Sequence, residues 1–65
     1  TMSYRIIYFD RHAEGWYSLD DLSPIKPRFG TVADAEKFIK DNRYHFGSDF
    51  SRAVKDSNTQ IVEDK

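Results

Sequence analysis

"DFSRAVKDSNTQIVE", residues 49–63, is the stretch on which the fold turns. Phe50, Arg52 and Val54 alternate with Ser51, Ala53 and Lys55, the period-two pattern of a strand with one face against a core. Asp56-Ser57-Asn58-Thr59 then supplies turn chemistry, and Gln60-Ile61-Val62-Glu63 resumes an extended character. Read this way the segment is a hairpin, although residues 49–55 also admit a helical reading. The alternation makes the hairpin the expectation.

Upstream, Tyr4-Arg5-Ile6-Ile7-Tyr8-Phe9 is rich in β-branched and aromatic residues and is closed by the polar run Asp10 to Gly15. Trp16-Tyr17-Ser18-Leu19 has the same character, so the two segments are expected to pair as an antiparallel hairpin. In "DDLSPIKPRFG", residues 20–30, two prolines remove backbone donors and push Ser23 and Lys26 towards extended conformations, which makes this a loop or a broken edge strand. Thr31 then suits a helix N-cap and Asp34 the positive end of the helix that follows. Val32, Ala35, Phe38 and Ile39 recur at helical spacing as one apolar stripe, and the pattern stops near Asn42. Asn42 to Asp49 reads as a connector, with Tyr44 and Phe46 as anchors and Gly47 at a turn.

The sum is a small single α+β domain over residues 2–64, in ββαββ order, with one helix packed on one face of an antiparallel sheet of about four strands. Sixty-five residues leave no room for a second domain. Leu, Ile, Val and Phe account for 15 of them and ten are aromatic, enough for a core. The absence of cysteine excludes thiol chemistry and points to a reducing, cytoplasmic compartment. With Ile6 to Phe9 as the longest apolar run, neither a membrane span nor a signal-peptide core is present, so no membrane partner is expected. Thr1 ahead of Met2 reads as a residue left by tag removal.

One helix covers one face of a sheet, whereas strand residues point alternately to both. Tyr4, Ile6 and Tyr8 point one way and Arg5, Ile7 and Phe9 the other, so apolar groups remain on an open face whichever face the helix takes. Contiguous apolar surface marks interaction sites. The expected contact surface is this open face with the neighbouring proline loop, anchored by Tyr8, Trp16 and Tyr17, with Arg28 as its polar member. The partner is another protein or a second copy of the chain.

Chemistry is sparse. His12 between Asp10 and Glu14 has the composition of a general base oriented by a carboxylate, but alternating charges between strands are the usual make-up of a solvated turn. His45, between Tyr44 and Phe46, reads as a half-buried packing histidine. No metal-binding histidine spacing, phosphate-binding loop or nucleophile elbow occurs, so no catalytic residue, cofactor or metal is expected. A nucleic-acid-binding module is the alternative, with bases stacked on Tyr4, Tyr8, Trp16 or Tyr17 and phosphates met by Arg5, Lys26, Arg28, Arg43 and Arg52. A formal net charge of -1 disfavours it.

The order strand, strand, loop, then "GTVADAEKFI" resembles the strand-to-helix junction of HicB-type antitoxins and of the arm-binding domains of tyrosine recombinases, over about half of the chain. Gly30-Thr31 and the pair Asp34-Ala35 carry the resemblance. The antitoxin pattern implies a proline-glycine where this chain has Ser23-Pro24-Ile25, and the recombinase arm implies a basic sheet, so no functional residue carries over from either. The function expected is that of a small non-catalytic binding protein or regulator, of the kind found on phages and mobile elements.

Overall fold

The computed structural model describes residues 2–64; Thr1, with its reading as a tag remnant, and Lys65 lie outside the described residues. The central strand is β1, Ser3–Asp10. It pairs antiparallel with β2, Gly15–Ser18, and on its other side with β3, Thr59–Asp64, in the order β2-β1-β3. The first turn is closed by Asp10, whose Oδ1 accepts from the backbone N–H groups of His12 and Ala13 at 2.8 and 3.1 Å. Glu14 takes a left-handed conformation at φ 54° so that Gly15 can enter β2 opposite Asp10.

A single 3-10 turn, Leu19–Asp21, follows β2 and drops Leu19 into the core at 1% exposure. The proline loop then returns to the sheet. Phe29 exchanges both backbone hydrogen bonds with Tyr4 at 2.8 and 3.0 Å, filling the edge of β1 that the short β2 leaves free. The helix α1 spans Val32–Asn42, and Thr31 caps it by accepting from the Asp34 N–H at 3.1 Å.

The second half departs from the expected hairpin. Residues Ser48–Lys55 form a second helix, α2, and among the described residues the sheet has three strands instead of about four. Strand and helix make different demands on the same residues. A strand with Phe50 and Val54 inward would bury Arg52 with them, whereas a helix groups Phe50 with Ala53 and Val54 and turns Arg52 outward. The helix satisfies both requirements: Phe50 is fully buried, Ala53 is 3% exposed, and Arg52 reaches Asp56 one turn on at 2.9 Å.

The polar run Asp56-Ser57-Asn58 is a turn, but one that ends a helix. Ser57 is left-handed at φ 58°, its N–H donates to the Val54 carbonyl, and the Asn58 N–H donates to that of Ala53. This is a Schellman cap. It delivers Asn58 directly to Phe9, whose N–H it accepts at 3.0 Å, and so sets the register of β3.

Ile6, Tyr8, Leu19, Ala35, Phe50 and Ala53 form the buried cluster, with Phe29, Phe38, Ile39, Phe46, Val54 and Ile61 packed against it. Phe50 sits edge-on to both Tyr8 and Phe46, with ring centroids 5.6 and 5.7 Å apart. Residues of both helices join one cluster with Ile6 and Tyr8, so both helices lie on the same face of the sheet. Among the described residues no helix or second sheet covers the opposite face. Among the described residues no helix is long and apolar enough to cross a membrane.

Candidate functional site: the open sheet face

Alternation along β1 puts Arg5, Ile7 and Phe9 on the face away from the helices. The register then fixes their neighbours: Phe9 stands opposite Trp16, Ile7 lies between Ser18 and Gln60, and Arg5 stands opposite Val62. None of Ile7, Phe9, Trp16 and Val62 belongs to the buried cluster. Phe9 and Trp16 pack edge to face with centroids 5.8 Å apart, and Trp16 keeps 46% of its surface exposed. Ile7 extends the patch along β1, and Val62 meets it diagonally across the strands.

A charged cluster closes the lower end of this face. Arg28 binds Asp20 through Nη1 and Nη2, each at 2.9 Å from its own carboxylate oxygen. Its Nε reaches Asp64 at 2.7 Å, and Arg5 approaches the other oxygen of Asp64 at 3.6 Å. The Arg28 hydrogen bond holds the Asp20 carboxyl below its ordinary pKa, and the two acids push the guanidinium of Arg28 further from deprotonation. The loop, the 3-10 turn and the end of β3 are thereby tied together.

Of the four residues expected at the contact surface, the structure places Trp16 on the open face and Arg28 at its lower end. Tyr8 is 3% exposed beneath the helices, where burial raises the pKa of its phenol, and it cannot act as an open-face anchor. Tyr17 shares the helix side with Tyr8, 6.5 Å away, and stands 41% exposed at the β2 edge. The open face carries Ile7, Phe9 and Val62 beside Trp16 instead. Alternation alone already grouped Ile7 with Phe9 and Arg5; only the helices' choice of face was missing.

The proline loop contributes a separate feature. Pro24, Ile25 and Pro27 wall a mostly apolar groove of about 490 Å³ whose other side is Phe29, Phe38 and Phe46. Ile25 is 75% exposed at its rim.

His12 has a partner that its neighbours in sequence did not reveal. Its Nδ1 lies 2.6 Å from Oδ1 of Asp49, in the first turn of α2, which fastens the hairpin turn to that helix. A carboxylate on one imidazole nitrogen is the geometry that orients a general base, and Asp10, His12 and Asp49 offer ligand atoms within 4.8 Å of one another, close enough for one metal ion. Here the Oδ1 of Asp10 is already bonded to two backbone N–H groups, and the His12 side chain is 68% exposed. His45 is exposed on the connector, its ring 6.3 Å from that of Phe46, where a half-buried position was expected.

Neither the family models, nor the curated proteins, nor the solved structures compared with this chain give a match.

Proposed function

We propose that the protein is a non-catalytic binding module that docks a protein partner on its open sheet face. The carrying observation is the unlayered patch of Ile7, Phe9, Trp16 and Val62, drawn from all three strands and flanked by the Arg5–Asp64–Arg28–Asp20 cluster. An apolar centre with a charged rim is the anatomy of a protein interface, and tryptophan is the side chain most often found at its energetic centre. A rigid three-stranded platform presents these groups with little ordering cost on binding.

The nucleic-acid alternative draws less support. Arg5, Arg28 and Arg52 are each engaged by an aspartate, Arg43 lies over the Tyr44 ring at 4.8 Å, and Tyr8 is withdrawn from any stacking surface. The His12–Asp49 pair is assigned a structural role, because a widely exposed imidazole fastened to a helix start serves as a clasp.

The test is capture from cells in which the chain naturally occurs, comparing wild type with Trp16→Asp and Ile7→Asp variants whose folding is verified by circular dichroism. A protein held by wild type and released by both variants supports the reading. Retention of the same proteins by all three chains sinks it.

A further inference from the structure

The outer edge of β3 is a second surface, distinct from the open face. Hydrogen-bond phase determines which backbone groups point there. Tyr4 exchanges its bonds with Phe29 on the β2 side of β1, while Phe9 donates to Asn58 on the β3 side. Even-numbered residues of β1 therefore bond towards β2 and odd-numbered residues towards β3. Carried across the register, Asn58, Gln60, Val62 and Asp64 direct their N–H and C=O groups inward, and Thr59, Ile61 and Glu63 direct theirs outward. That edge has no strand beside it among the described residues, and it has no proline, lysine or bulge to blunt it.

We propose that β3 pairs antiparallel with β3 of a second copy, about a two-fold axis through Ile61, so that two three-stranded sheets join into one of six strands. Phase and side chains select this register together. Complete overlap of both strands would set Ile61 against Val62, an outward-bonding residue against an inward-bonding one, and is forbidden. Centring on Ile61 places Ile61 against Ile61, Val62 against Gln60 and Glu63 against Thr59, with no acid facing an acid. Centring on Val62 also satisfies the phase but sets Glu63 against the apolar Ile61.

Two further features fit a second copy. Asp64 is neutralised within its own chain by Arg5 and Arg28, which leaves Glu63 as the acid of the strand with no ion-pair partner among the described residues. Beside the edge, Glu36 and Ile39 of α1 line an open groove of about 290 Å³ with Thr59 and Ile61, where the incoming Ile61 finds apolar neighbours. The pairing leaves both open faces free and continuous with one another, so it is independent of the docking proposed above.

Sedimentation velocity from micromolar to millimolar concentration tests it. Wild type is expected to show a reversible monomer–dimer equilibrium. Glu63→Pro removes an outward N–H without touching a bond to β1 and is expected to abolish the dimer. Thr59→Lys, which sets a lysine against Glu63 twice in the dimer, is expected to tighten it roughly three- to tenfold, and Thr59→Glu to weaken it by a similar factor. A wild type that stays monomeric to millimolar concentration overturns the proposal, as does a dimer indifferent to the charge at position 59. The two Thr59 variants keep the test decisive if Glu63→Pro does not fold.

Discussion

Arg28 grips Asp20 with both terminal guanidinium nitrogens, at 2.9 Å each, across eight positions of chain. A bidentate pair between partly covered side chains is among the stronger surface interactions. Arg28→Ala is expected to cost about 1–2 kcal/mol at neutral pH. Lys37→Ala, which breaks an exposed pair with Asp41, is expected to change stability little. Urea denaturation of the two variants checks the contrast.

The same pair predicts an acid dependence. The Asp20 carboxyl has a lowered pKa in the folded state, so the unfolded chain takes up its proton first as pH falls. The pair's contribution is therefore full above the ordinary carboxylate pKa, about 4, and is lost below it as pH drops through the folded-state value. Thermal midpoints measured through this range should fall less steeply for Asp20→Asn than for wild type.

Tyr8 predicts the opposite limb. Burial, with Asp10, Asp49 and Asp21 nearby, raises its phenol pKa, so the folded state resists ionisation that the unfolded chain accepts near pH 10. Stability tied to this group is complete below that pH and declines as pH rises towards the folded-state value. An ultraviolet titration should show a late phenolate step that is missing from Tyr8→Phe.

Burial separates the two faces of the sheet energetically. Phe50→Ala empties a fully buried position and is expected to cost about 3–5 kcal/mol, a large share of the roughly 3–10 kcal/mol that a domain of this size holds. Trp16→Ala, on the open face, is expected to remain folded. Circular dichroism of both at room temperature distinguishes them.

The ends of α2 respond to glycine in opposite directions. Gly47 has φ 93° and ψ 174°, a region only glycine enters without strain, so Gly47→Ala is expected to cost about 1–3 kcal/mol although open space surrounds the site. Ser57 occupies the left-handed position of the Schellman cap, where glycine is the usual residue. Ser57→Gly is expected to raise the thermal midpoint by a few degrees, reflecting about 1 kcal/mol.

The first half of the chain was legible because its signals are local. Thr31 caps the helix that its own sequence starts, and the β-branched and aromatic residues of β1 and β2 flank a turn whose Asp10 bonds its near neighbours. The candidate site was half legible for the same reason: alternation separated Ile7 and Phe9 from Ile6 and Tyr8 without saying which pair would be covered. The His12–Asp49 contact, spanning 37 positions, had no local trace.

By itself the sequence determined an α+β domain with a leading hairpin, a threonine-capped helix ending within a few residues of Asn42 and a final strand around Ile61. Caps, turns and periodicities act over a few residues and are written in their order. Only the tertiary structure decided that residues 48–55 are a helix and that Ile7, Phe9 and Trp16 form the outer face. Phe50 and Val54 satisfy a strand and a helix alike, and the difference lies in whether Ala53 or Arg52 joins them. Packing against Tyr8 and Phe46 settles it, because burying an arginine costs far more than burying an alanine. Once two helices cover Ile6 and Tyr8, every odd-numbered residue of β1 is left to the other side.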